Sequence, residues 1–173
     1  MPDVIIVAGP NGAGKTTFCT RLQRELVKPF AYVNIDEIER SLPDQMRSKT
    51  FRELTAARQA LCIVSERVQA RDCLMIETTL AARTYATMVP GWQQLGYTVS
   101  LVFVRLPSAD HAIERVKRRV ALGGHAIPEE TVRRRYDLGL EYLETLYKPV
   151  VDQWYVWDSI EGEFLPAEAW DRP

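Results

Sequence analysis

Val4-Ile5-Ile6-Val7-Ala8-Gly9-Pro10-Asn11-Gly12-Ala13-Gly14-Lys15-Thr16 is the stretch on which the fold turns. Val4 to Ala8 is continuously apolar and rich in β-branched residues, as expected of a strand covered on both faces of a parallel sheet. A glycine-rich turn follows, then a helical stretch from Thr16 to Val27, stopped near Pro29. Gly9 to Thr16 fits the spacing G-x-x-x-x-G-K-[ST]. Glycines permit positive φ, so backbone N–H groups can turn inward and form a concave anion nest. The helix that follows points its positive end at the same place. Lys15 is placed to neutralise β- and γ-phosphate charge, and the Thr16 hydroxyl to ligate Mg²⁺. A dinucleotide reading also arises, because Asp36 lies about 20 residues downstream, where a ribose-binding acid would sit. The glycine spacing GxxGxG and the closing Lys-Thr favour a nucleoside triphosphate instead.

Working outward, apolar runs alternate with helical patterns. Ala31 to Ile35 reads as a second strand. Leu54, Ala57, Leu61, Val64 and Val68 recur at helical spacing between Ser48 and Arg71. Cys73 to Ile76 is a third strand, followed by a helix carrying Tyr85, Met88, Val89, Trp92 and Leu95, with Pro90 a kink or restart. Tyr97 to Val104 is a fourth strand. Ser108 suits the N-cap of a helix running to about Leu122, ended by Gly123-Gly124. Pro128 opens another, running to about Tyr147. Trp154 to Trp157 is a short last strand, and the tail from Asp158 reads as irregular. Strands spaced by helices predict a three-layer α/β domain with a parallel sheet. At 173 residues the chain is expected to form one domain, 1–173.

The composition narrows the functional classes. Apolar residues make up 46% and charged residues 26%, which suits a soluble globular protein. The net charge of −1 and a pI near 6.2 argue against nucleic acid or membrane as the general partner. Cys19, Cys62 and Cys73 are odd in number and form no CxxC pair, which suits a reducing compartment. The opening MPDVIIVAGP lacks the basic region of a signal peptide, and no run of about 20 apolar residues occurs. A cytoplasmic location is expected.

Two acids follow strands on the side where ligands of open α/β sheets bind. Asp36, in YVNIDEIER, is either a helix N-cap, with Glu39 completing a capping box, or a base that takes the proton of an acceptor hydroxyl. Glu77, in CLMIETTL, is read with Thr78 and Thr79 as holding Mg²⁺ water or a substrate hydroxyl, the alternative being a solvated strand-end charge.

Arg105 to Arg135 carries eight basic against four acidic side chains in a chain of net −1. Some of these must form a solvated, salt-bridged face. Arg115 and Arg119 share one helical face, and the Gly123-Gly124 hinge suggests a lid spanning about 108–135 that closes over ATP. His125 is expected to order that hinge or touch a phosphate, the alternative being a solvent-exposed side chain.

The pieces GPNGAGKTTF, YVNIDEI, IETTL, VFVRL and RVKRRVALGGHAIPEETVRRRY, in order between residues 3 and 140, resemble the zeta-toxin-like P-loop kinases. The likeness is stronger to their short bacterial branch, often labelled predicted ABC-type ATPases. The resemblance implies a five-stranded parallel sheet of nucleoside-kinase type, with the phosphate-loop strand in the middle and a helical lid. It implies phosphoryl transfer from ATP, with Mg²⁺, to a sugar hydroxyl, as on UDP-N-acetylglucosamine, and an antitoxin-like protein as a possible partner. The implied nucleotide site is Gly9, Pro10, Asn11, Gly12, Ala13, Gly14, Lys15, Thr16 and Thr17, with lid arginines Arg115, Arg119 and Arg134. Asp36, Lys15 and Arg119 are the implied catalytic set, and Asp36, Glu77, Thr78 and Thr79 line the small-molecule acceptor site. Thr16 and Glu77 are the implied metal ligands. A nucleotide-dependent switch acting through a protein partner, and a nucleic-acid end kinase, are the competing readings.

Overall fold

The computed structural model describes residues 1–43, 48–124 and 126–172, without the side chain of residue 49. His125, expected at the hinge, lies outside the described residues. In chain order the elements are β1 (Asp3–Ala8), α1 (Lys15–Glu25), β2 (Ala31–Asn34), α2 (Ile35–Ser41), α3 (Lys49–Gln69), β3 (Leu74–Thr78), α4 (Thr84–Gln94), β4 (Thr98–Arg105), α5 (Ala109–Ala121), α6 (Glu129–Tyr142), β5 (Gln153–Ile160) and β6 (Glu163–Asp171), with a π-helical turn at Leu143–Tyr147. The sheet order is β2-β3-β1-β4-β5-β6. The first five strands are parallel, with the phosphate-loop strand central among them, as expected.

Side chains alternate across a strand, and that alternation divides the interior into two cores. Val4, Ile6, Ala8, Val33, Leu74, Ile76, Leu101 and Phe103 face α3, α4 and the π-helical turn. Val7, Met75, Val102 and Val104 face α1, α5 and α6. The same period assigns Tyr32, Asn34 and Glu77 to the α1 side, since each is an odd number of residues from a side chain on the other face. The register sets Asn34 directly opposite Glu77. The chemistry of the site thus follows from the pleat of two strands.

Three boundaries differ from the sequence expectation. Glu77 lies within β3 rather than beyond its end. Pro90 does not divide its helix, and α4 runs through it from Thr84 to Gln94. The tail from Asp158 is not irregular. It completes β5 and returns as β6, a sixth strand antiparallel to β5, so the sheet is mixed rather than wholly parallel.

The hairpin has a two-residue turn, Glu161-Gly162, with φ of 49° and 90°. That is the left-handed pair whose twist suits a tight hairpin. Pro166 sits where the register shifts between Val156 and Trp157, and an edge strand at a bulge tolerates the missing N–H. Pro166 and the charges of β6 mask its strand pattern in the sequence. Its one half-buried aromatic, Phe164, packs edge-on against Phe18 with ring centroids 5.1 Å apart. Phe164 also approaches Gly14 so closely that a Cβ there would lie 3.3 Å from its Cζ. The hairpin therefore braces the phosphate loop from behind. Phe164→Ala is expected to lower unfolding free energy by about 1–3 kcal/mol, less than the ~3–5 of a fully buried phenylalanine. Urea titration followed by tryptophan fluorescence reads this, and an unmoved midpoint would deny the brace.

Candidate functional site

The phosphate loop is shaped by space that only glycine leaves. Gly9 has a φ of 145°, and a Cβ on it would overlap the carbonyl oxygen of Val104. Gly12 has a φ of 81°, and a Cβ there would lie 2.9 Å from that of Arg115. Gly14 takes a left-handed conformation at the N-cap of α1, and no side chain caps that helix. The first-turn amides of α1 thus stay available to an anion. Lys15 is buried and donates to the carbonyl oxygen of Pro10 at 3.0 Å. Burial lowers its pKa, opposed chiefly by the carboxylates of Glu77 and Asp36, while the charge of Arg119 lowers it further. A polyphosphate in the loop would add counter-charge to that of the two carboxylates.

Glu77 is buried among donors. Thr16 Oγ1 donates to its two carboxylate oxygens at 3.2 and 3.0 Å, and Asn34 Nδ2 donates to Oε2 at 3.0 Å. The Tyr32 hydroxyl also donates to Glu77, while accepting from Asn34 Nδ2. Burial, reinforced by that bond, pushes the Tyr32 phenol pKa well above its usual range. The Asn34 side chain reaches the other way as well, since its Oδ1 accepts from the amides of Asp36 and Glu37. Asn34, not Asp36, is therefore the N-cap of α2. The capping alternative for Asp36 is displaced, and its exposed carboxylate is left in the first helical turn.

A cavity of about 240 Å³ opens beside these groups. Lys15, Asn34, Asp36 and Glu77 line one side, and Thr78 and Thr79 continue the wall. Ile35, Ala81, Ala82, Arg134 and Arg135 complete it. Sequence reasoning named Lys15, Asp36, Glu77, Thr78, Thr79 and Arg134 but missed Tyr32 and Asn34, which hold Glu77, and Arg135. The signal for the first two was the strand period, which places both on the face of Glu77.

The lid arginines separate. Arg115 does not line the cavity: its guanidinium donates to Ser159 Oγ at 2.7 Å, to the Ser159 carbonyl at 3.0 Å and, more distantly, to the Gly12 carbonyl. It ties α5 to the hairpin and the loop. Arg119 lies near enough to Lys15 to influence its charge. Gly124 folds back on it, with its amide donating to the Arg119 carbonyl at 2.9 Å. A Cβ at Gly124 would come within 2.7 Å of Arg119 Cγ. Thr17 is exposed on α1.

Residues 4–138 match the family model described as an AAA domain. The chain belongs to this family. Its fold agrees with the zeta-toxin-like resemblance read from the sequence. An uncharacterised protein of Haemophilus influenzae is 24% identical over 132 residues, 76% of this chain and 91% of that one. Among solved structures, the PezAT chromosomal toxin–antitoxin system of Streptococcus pneumoniae matches with a TM-score of 0.69 at 15% identity, over 98% of this chain and 72% of that one. A gluconokinase from Sinorhizobium meliloti matches at 0.58 and 15% identity, over 92% and 84%. A chain of the Pnkp1/Rnl/Hen1 RNA repair complex matches at 0.67 and 22%, over 83% and 45%. These structural likenesses fix the fold of the AAA domain. Among the described residues no helix is long and apolar enough to cross a membrane, and no group of three or more His, Cys, Asp or Glu is placed to hold a metal.

Removing the Lys15 ammonium deletes a charged hydrogen-bond donor, so Lys15→Ala is expected to weaken binding of a fluorescent ATP analogue by about 10–100-fold. The cysteines offer a second check. Burial pushes the Cys19 thiol up to about 12, whereas Cys62 is exposed. Because the folded state resists ionising Cys19, its contribution to stability is intact below about pH 9 and falls as pH rises toward 12. At pH 8 iodoacetamide is expected to modify Cys62 in the native protein and Cys19 only after denaturation. Equal labelling rates would contradict the packing of α1.

Proposed function

We propose that this AAA domain is an ATP-dependent phosphotransferase that moves the γ-phosphoryl group to a hydroxyl of a small molecule. The acceptor that the family resemblance nominates is a nucleotide sugar such as UDP-N-acetylglucosamine. The observation that carries this reading is the exposed Asp36 carboxylate, which shares one cavity with the Lys15 ammonium and makes no side-chain hydrogen bond with a described residue. A hydrolase has no need of such a space beside the phosphate loop, whereas a kinase must seat an acceptor there.

In this mechanism the amides of residues 11 to 15 hold the triphosphate, and Lys15 exchanges the Pro10 carbonyl for phosphate oxygen. The acceptor oxygen forms a bond to the γ-phosphorus as the bond to the ADP oxygen breaks, and ADP leaves with that electron pair. The acceptor proton passes to Asp36. Arg119 and Arg134 approach from the lid to offset charge on the transferred group, and closure of the lid excludes water. Thr16 and Glu77 present hydroxyl and carboxylate oxygen at the mouth of the loop, a donor set that suits Mg²⁺ with several waters retained. When bound, that ion screens the β- and γ-phosphate charge. Tyr32 and Asn34 hold Glu77 in place.

The likeness to the PezAT toxin–antitoxin system supports a second reading, a nucleotide-dependent module whose output is binding an antitoxin-like protein. ATP consumption separates the two, since a kinase turns over slowly until its acceptor is added. Asp36→Asn is expected to lower phosphoryl transfer at least about 100-fold with ATP affinity nearly unchanged. Single-turnover transfer from γ-labelled ATP measures the first and fluorescence titration the second. Undiminished transfer would remove Asp36 as the base.

A further inference from the structure

The basic residues of the lid divide by whether they have partners. Arg105 pairs with Asp158 at 2.7 Å and Glu168 at 2.9 Å, and Lys117 with Glu129 at 2.7 Å. Arg118 pairs with Glu114 at 2.6 Å and Arg133 with Asp110 at 2.7 Å. Arg115 is held by Ser159. Arg134 and Arg135 make no hydrogen bond or ion pair with a described residue, yet both line the cavity that contains Asp36 and Glu77. Arg134 is exposed, whereas Arg135 is half-buried. A guanidinium that lines a cavity without a protein partner presents its fork to a ligand, and a carboxylate or phosphate group matches that fork in bidentate fashion.

The remainder of the wall limits what can bring that anion. Asp36, Glu77, Thr78 and Thr79 are groups that read hydroxyls, while Ile35, Ala81 and Ala82 add an aliphatic, non-aromatic face. None of the lining residues is aromatic, so a nucleobase has no stacking platform there. At about 240 Å³ the cavity is smaller than the roughly 300–1,000 Å³ that holds drug-sized ligands. The transferred phosphoryl group beside Lys15 takes part of that volume. A nucleotide sugar outgrows it.

We propose that the acceptor is a compact polyol bearing its own anionic group, a carboxylate or a phosphate monoester, and that Arg135 reads that group. This rests on the kinase reading and replaces its nucleotide-sugar acceptor with a smaller one. Arg134, the more exposed of the pair, remains for the transferred phosphoryl group.

The test presents the protein with ATP, Mg²⁺ and four probes: glucose, gluconate, glucose 6-phosphate and UDP-N-acetylglucosamine. Transfer is followed by ³¹P NMR and steady-state kinetics. Calorimetry on protein loaded with a non-hydrolysable ATP analogue reports acceptor binding independently of chemistry. An anionic probe is expected to exceed glucose in kcat/KM by about tenfold or more, as a charge-assisted bidentate contact implies. Whichever of gluconate and glucose 6-phosphate does so identifies the anion as carboxylate or phosphate. Arg135→Gln is expected to raise the acceptor KM by about tenfold with the KM for ATP nearly constant, and Arg135→Lys to restore part of the loss. The constant KM for ATP also reports that the variant is folded.

Preferential transfer to glucose or UDP-N-acetylglucosamine would overturn the inference and leave the kinase reading standing. Anion binding that disappears in Arg135→Gln, without transfer to any probe, would uphold the anion site and sink the kinase reading. Failure of both anions to bind, or a rise in the KM for ATP in place of the acceptor KM, would overturn the inference.

Discussion

A single buried carboxylate, Glu77, holds the working end of this molecule together. It lies on β3, and its partners come from two other elements: Thr16 at the start of α1, and Tyr32 and Asn34 on the neighbouring β2. A buried carboxylate with fewer donors would carry a large desolvation penalty, so the three elements must meet where they do. Asn34 extends the constraint by capping α2 with its amide oxygen while its amide nitrogen serves Glu77. The position of Asp36, in the first turn of α2, is in this sense decided by the residue that ends β2.

A division of labour among the cations follows from the same frame. Three basic side chains of the lid, Lys117, Arg118 and Arg133, are spent on acids within reach, and two of these pairs fasten α5 to α6 through Lys117–Glu129 and Arg133–Asp110. Exposed pairs of this kind contribute little stability. Their effect is to keep those charges away from the cavity and leave Arg134 and Arg135 turned toward it. Arg115 takes a structural post between hairpin and phosphate loop, although its helical spacing from Arg119 suggests a shared target. Spacing along a helix fixes which face a side chain occupies, but not which partner waits on the neighbouring element.

The parallel core of the fold was legible because its signals are local. A β-branched run, a glycine turn and a capped amphipathic helix can each be read within a few residues. Ser108 caps α5 as its sequence suggests, accepting from the His111 amide. Lys15, Thr16, Asp36, Glu77, Thr78 and Thr79 were legible through motif and strand-end position. What escaped depended on pairings distant in sequence. β6 is a strand because β5 supplies its hydrogen bonds, and Pro166 with a mostly exposed surface hides that. Tyr32 reads as a core aromatic until the register sets its strand beside Glu77. Arg135 is indistinguishable from Arg133 and Arg134 until the rotation of α6 turns it toward the cavity and Arg133 toward Asp110.

The fold-back at Gly124 has a further consequence. The stem of Arg119 occupies room that is vacant only because residue 124 carries no side chain. The aim of this arginine is thus encoded five positions away, in an omission rather than in an atom. A substitution at 124 would press on the stem and the carbonyl of Arg119 and so displace a cation whose charge reaches Lys15, although residue 124 is no part of the phosphate loop.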